Sequence, residues 1–200
     1  ILEDSVLYAI WEKSPIVTFT ANYEGATESD VTQTLIYDEY VTLDSVKFTR
    51  EGYFFMGFST SPESTSASYK EGSSICLTED IILYAVWAAP ITITYNSNYK
   101  SGNNQTISYT YPEGTIVSPA ECSFEAPEGF YFYGWVSSTS ISIENAQYKR
   151  FDKPLTFRED KNYYATWAPV HTVLIYSNYD GKGGSEEIKE YKIKYGEKLT

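Results

Sequence analysis

Nucleophilic and acid–base chemistry needs a base, and this chain of 200 residues carries one histidine, His171, next to Pro169 and Val170 at the start of a strand-like run. It has no counterpart at the same register elsewhere, so a structural or solvated role is preferred. Carboxylate pairs are more plentiful: Asp38-Glu39, Glu79-Asp80, Glu159-Asp160 and Glu186-Glu187. Glycoside hydrolysis requires only two carboxyl groups at the right separation. Glu79-Asp80 and Glu159-Asp160, however, occupy equivalent turns, and a residue repeated at a turn serves the turn before it serves a reaction. Asn178-Tyr179-Asp180-Gly181 and Asp38-Glu39 offer oxygens to calcium, but no segment has the spaced ligand series of a calcium loop. Gly181, Gly183 and Gly184 precede no Lys-Ser/Thr and open no helix, so they make no phosphate cradle. The expectation is a chain without catalytic residues, cofactor or metal.

Cys76 and Cys122 lie 11 and 45 residues before Trp87 and Trp167. A framework disulfide would recur with the repeat, so both are expected as small buried apolar residues, with a bridge between modules as the alternative. Trp11, Trp87, Trp135 and Trp167 recur in register and are expected in cores or at module joints. Of the 20 tyrosines, many also recur in register and read as scaffold. Tyr40, Tyr69 and Tyr148 do not, and are the candidates for an exposed, partner-binding patch. Asn104-Gln105-Thr106 is an N-glycosylation sequon.

The elements that position these residues repeat along the chain. Leu7-Tyr8-Ala9-Ile10-Trp11 returns as Leu83-Tyr84-Ala85-Val86-Trp87 and as Tyr163-Tyr164-Ala165-Thr166-Trp167, with tryptophan spacings of 76 and 80. Asn22-Tyr23, Asn98-Tyr99 and Asn178-Tyr179 keep the same 76 and 80. Glu51-Gly52-Tyr53-Phe54-Phe55-Met56-Gly57-Phe58 returns as Glu128-Gly129-Phe130-Tyr131-Phe132-Tyr133-Gly134-Trp135. The chain therefore parses into the C-terminal piece of a repeat (1–11), two complete modules (16–87 and 91–167) and the N-terminal piece of another (171–200). Each joint is short and contains a proline, Pro15, Pro90 or Pro169, which stiffens it and predicts a rod-like array.

Within a module the period is two. Ile91, Ile93 and Tyr95 alternate with Thr92 and Thr94, and Ile107, Tyr109 and Tyr111 alternate with polar residues, as half-buried antiparallel strands do. Tyr191, Ile193 and Tyr195 repeat the pattern. A Gly- and Asn-rich hairpin loop joins these strands. A third strand is expected at Tyr53–Phe58 and Phe130–Trp135, and a closing strand at the Leu-Tyr-Ala-x-Trp element. Short helices are candidates at Leu43–Thr49 and Pro119–Phe124.

At 42% apolar and 17% aromatic residues the chain can bury a core, and its formal charge of −12 disfavours nucleic acid and anionic lipid. No apolar run is long enough to insert in a membrane. The charge is uneven: residues 16–87 hold 11 acidic and 3 basic side chains, and residues 91–167 hold 8 and 6. A shared framework with differing surface charge suits a spacer or modules with individual partners. The chain begins at Ile1 and its one methionine is Met56, so a processed product or a piece of a longer protein is expected.

The Gly-aromatic element of residues 51–58 and 128–135, followed by Thr78-Glu79-Asp80 or Arg158-Glu159-Asp160 and by Leu83–Trp87 or Tyr163–Trp167, resembles the Listeria-Bacteroides repeat, also called the internalin B-repeat. The resemblance covers essentially the whole chain. It departs at Phe58, where the next copy has Trp135, and at Tyr163, which replaces a leading leucine; a core tolerates both swaps. The resemblance implies an α+β, predominantly β fold of tandem small β-grasp-like modules of about 75–80 residues, in an extracellular or cell-surface bacterial protein. The expected role is a non-catalytic stalk or spacer. The alternatives are an adhesive module for a host protein or glycan, and a filament subunit that pairs strand edges with neighbouring copies.

Overall fold

The computed structural model describes residues 8–176 and 188–198. The chain divides into two units, Ile1–Pro90 and Ile91–Thr200. Both are predominantly β, and each is built on the same plan.

In the first unit, β1 (Ile16–Thr20) and β2 (Val31–Thr34) form an antiparallel hairpin. Alternation sends Val17 and Phe19 of β1 to full burial. The closing strand β6 (Ile81–Ala88) lies parallel beside β1, with Val17 opposite Ile81 and Phe19 opposite Leu83. β4 (Phe54–Ser59) pairs antiparallel on the far side of β6, giving the sheet order β2-β1-β6-β4. Two short strands, β3 (Tyr40–Thr42) and β5 (Ser74–Cys76), form a separate ribbon.

The second unit repeats this plan. β7 (Pro90–Asn96) neighbours β8 (Thr106–Pro112) and runs parallel to β12 (Lys161–Tyr176), whose other side carries β10 (Phe130–Val136) antiparallel. The small ribbon is β9 (Ile116–Val117) with β11 (Leu155–Thr156). β12 does not stop at the closing tryptophan. It continues unbroken through Pro169 and pairs Val170–Tyr176 with β13 (Ile188–Lys194), the opening hairpin of the next repeat. That hairpin leaves Ile175 42% exposed, at the register where Phe19 and Tyr95 are buried in the complete units.

A β-bulge explains the Gly-aromatic element. The β4–β6 register shifts between Phe55 and Gly57, and the β10–β12 register shifts between Phe132 and Gly134. Residues three apart on a regular strand face opposite ways; the extra residue puts Phe55 and Phe58 on one side, with ring centroids 5.0–5.1 Å from Phe19–Phe58 and Phe55–Phe58 contacts. Phe132 and Trp135 meet likewise at 4.9 Å. Where the first core has Phe19 the second has Tyr95, and its buried hydroxyl accepts the Ala120 N–H at 3.3 Å.

Three expectations are corrected. Leu43–Thr49 and Pro119–Phe124 are not helical. Leu43 and Phe48 are buried from an irregular segment, whose Asp44 N–H goes to the Gln33 side chain instead of to a helical carbonyl. The one helix among the described residues is α1 (Ile143–Lys149), anchored by the buried Ala146 within the loop after β10. Trp11 is 89% exposed, because no described strand lies beside Tyr8–Trp11 to cover it.

Candidate functional site

The acidic turn before each closing strand holds the sheet together. Asp80 Oδ1 accepts the Ile16 N–H at 2.9 Å, and Asp160 Oδ1 accepts the Thr92 N–H at 2.7 Å. Both bonds join the start of the closing strand to the start of the first. The Lys13 ammonium and the Ile16 N–H hold the Asp80 carboxyl below its usual range. Glu159 pairs with Lys161. Asp38 sits beside the Cys76 thiol, 3.6 Å from Sγ, and burial together with this carboxylate pushes the thiol up. Among the described residues no three His, Cys, Asp or Glu side chains converge as metal ligands. Asn178–Gly184 and Glu186-Glu187 lie outside the described residues.

His171 is exposed on β12 opposite Ile193. Cys76 and Cys122 are free thiols, each partly buried. Tyr40 in the first unit and Tyr148 on α1 in the second are 82% and 81% exposed. Tyr69 differs from its expectation. It forms a bridge with Phe58, its ring packs on the first core, and it is only half exposed, because its backbone caps the bulge of β4.

A second set of in-register contacts surrounds each closing tryptophan. Asn22 and Asn98 adopt left-handed φ of 54° and 50°, a conformation Asn tolerates. Their side-chain amides donate to the Ala85 and Ala165 carbonyls, each at 3.0 Å. Trp87 Nε1 donates to Ala21 O at 2.8 Å and Trp167 Nε1 to Ser97 O at 2.7 Å. The next residue, Tyr23 or Tyr99, places its ring against that indole and its hydroxyl on Thr49 O or Glu125 O.

Above this shared floor the units diverge. In the first, Asn22 also donates to Pro62 O at 2.9 Å, so the loop after β4 closes over it. The Arg50 guanidinium lies 3.7 Å from the Tyr53 ring centroid and 5.4 Å from that of Tyr23, capping both. In the second unit Ala126-Pro127 stands between Glu125 and Glu128 where the first has Arg50 alone between Thr49 and Glu51, and Phe130 stands at the register of Tyr53. The loop is also longer: Phe58 bridges Tyr69, 11 residues on, whereas Trp135 bridges Phe151, 16 residues on. Residues 139–142 of this loop, with Ile143 and Glu144 of α1, stand along the floor. The result is a groove of about 910 Å³ lined by Trp167, Tyr99, Phe130, Ala126, Gln105 and Thr139, among others.

Glu28 gives the first unit a pH dependence. Its carboxylate accepts the Thr49 N–H at 3.1 Å and the Thr49 hydroxyl at 2.8 Å, and these bonds, with Tyr23 Oη at 3.0 Å, hold it down to about 2. A depressed carboxyl contributes stability that is present above its unfolded value and lost as pH falls through the folded one. The first unit is therefore expected to weaken between about pH 4.5 and pH 2. Acid titration of its melting temperature, with Glu28→Gln as control, checks this; an unchanged acid limb in the variant would refute it. The second unit has Asn104 at this register and lacks this contribution.

The groove was not foreseen, although the change in spacing from 76 to 80 was its trace. Differences between copies point to specificity, and similarities to scaffold. A family model described as the Listeria-Bacteroides repeat domain matches residues 16–86. Comparison with curated proteins returns no match.

Proposed function

Residues 16–86 belong to the Listeria-Bacteroides repeat family, and from that premise we infer that the chain is a stalk or spacer segment of an extracellular bacterial surface protein. The family is one of surface-protein repeats, which supports that location. No helix among the described residues is long and apolar enough to cross a membrane. The order β2-β1-β6-β4, with its parallel first and last strands, supports a β-grasp-like reading of the module.

The observation that carries the reading is this parallel pairing, β1 with β6 and β7 with β12. Chain entering a parallel pair at one end leaves at the other, so each repeat adds length. Force applied through the chain then loads the bonds between the two strands in shear, and they must break together. The unbroken run of β12 through Pro169 supports a stiff joint. This reading assigns no catalytic role.

Single-molecule pulling of the whole chain tests it. Two unfolding steps are expected, each releasing roughly 230–250 Å. Attachment at residues 16 and 34 instead, which unzips β1 from β2, should unfold the first unit at much lower force. Equal forces in the two geometries would remove the mechanical reading. A second reading, strand-edge pairing between copies, draws on the exposed Ile175 face of the β12–β13 hairpin. Sedimentation as a monomer at every concentration would dismiss it.

A further inference from the structure

We propose that the groove of the second unit is a binding site for a neutral oligosaccharide. Three features of the groove carry this. First, its aromatic rings offer apolar surface and no free donors. Trp167 Nε1 is already bonded to Ser97 O at 2.7 Å and the Tyr99 hydroxyl to Glu125 O at 2.6 Å, while Phe130 has no polar atom and is 43% exposed. The indole N–H and phenol O–H that would serve a peptide's carbonyls are thus already engaged. A pyranose ring offers an apolar C–H face that stacks on aromatic faces without them.

Second, the hydrogen-bonding capacity lies around the floor, in side chains that bond to no other described residue. Gln105, Thr139 and Glu125, which carry an amide, a hydroxyl and a carboxylate, are among its lining residues. An amide supplies a donor and an acceptor together, and a carboxylate accepts from hydroxyls, which matches the paired hydroxyls of a sugar. Third, charge disfavours an anionic ligand. Glu125 and Glu144 line the groove against the single cation Lys100. The volume lies near the upper end of the ~300–1,000 Å³ usual for ligand sites.

The first unit supplies the internal control. Its floor has the same Asn, Tyr and Trp, but Arg50 and the Pro62 carbonyl cover it.

The test uses the full 200-residue chain, ¹⁵N-labelled and titrated with neutral hexasaccharides of glucose, mannose, galactose and xylose. A proline-rich decapeptide and an anionic uronic-acid hexamer are included as competitors for the reading. The expected result is saturable shifts of the Trp167 indole and Gln105 amide signals with at least one neutral hexasaccharide, while the Trp87 indole stays still. Gln105→Ala should weaken that binding about tenfold, the equivalent of roughly 1.4 kcal/mol. Ala126→Arg, which places an arginine on the lining of the groove, should abolish it without lowering the melting temperature, since Ala126 is exposed. The proposal is overturned if no neutral hexasaccharide shifts Trp167 at up to about 10 mM. It is also overturned if only the peptide or the uronic acid binds, or if Ala126→Arg binds as well as the parent.

Discussion

Gly57→Ala is expected to destabilise the first unit by about 3 kcal/mol. A Cβ at this position would lie 2.4 Å from the Tyr69 carbonyl oxygen and 3.0 Å from Ala67 Cβ, and Gly57 has a φ of +119° that side chains rarely adopt. The carbonyl cannot retreat freely, because Tyr69 O accepts the Phe58 N–H at 2.8 Å. The matched change, Gly134→Ala, meets only the Arg150 side chain, whose Cδ is 2.6 Å away and can swing aside. Its backbone is extended, and its cost is the displaced Arg150 contact with the Tyr133 ring and carbonyl, about 1 kcal/mol. Hydrogen exchange resolved by unit, under increasing urea, would separate the two. Equal losses in both variants would show that the Tyr69 carbonyl is not the obstacle.

Trp135→Ala is expected to cost the second unit about 4 kcal/mol. Trp135 is 2% exposed, and its ring lies 4.7 Å from Tyr95 and 4.9 Å from Phe132. Its Nε1 donates to Ala120 O at 2.7 Å, a bond that ties the irregular segment before β10 to the core. Trp135→Phe should cost about 2 kcal/mol, because the first unit closes over Phe58 at the same place but the orphaned Ala120 carbonyl and the smaller ring remain unaccommodated. Urea denaturation gives both values. A phenylalanine variant as unstable as the alanine one would mean that the hydrogen bond, and not the ring volume, dominates at this position.

Both residues could be located in the sequence because they recur at a fixed register, and so could most of the fold. The alternation of Ile91, Ile93 and Tyr95 and the Leu-Tyr-Ala-x-Trp element are long-lived signals: each is copied with the repeat and set by a buried face. The ribbons β3–β5 and β9–β11 are two or three residues per strand, too short for a period to register. Helix α1 has no side-chain cap bond and one buried residue, so tertiary packing of Ala146 makes it and local pattern does not. Leu43 and Phe48 are drawn into the core from an irregular segment, where no period marks them.

The groove was harder to read for the opposite reason. It arises where the copies differ, at Ala126-Pro127 against Arg50 and in the longer loop after β10, and a search for register discards such positions. The tyrosines chosen for being out of register fared unevenly on the same account. Tyr40 and Tyr148 are exposed, but Tyr69 is tied to the bulge by its backbone.

The parallel pairing of first and last strands also bears on how a repeat acquires its structure. Val17 waits for Ile81 and Ile93 for Lys161, partners more than 60 residues away in the chain, so the sheet cannot close until nearly the whole repeat is present. Such high contact order slows folding. During that wait an opening hairpin meets closing strands from neighbouring repeats that carry the same Asp, Ala and Trp attachments. The mismatched partners on either side, Phe19 against Tyr95 and Phe58 against Trp135, make an exchanged pairing leave either a void or a clash. Divergence between the copies is thus expected to disfavour exchanged pairing while the repeats fold.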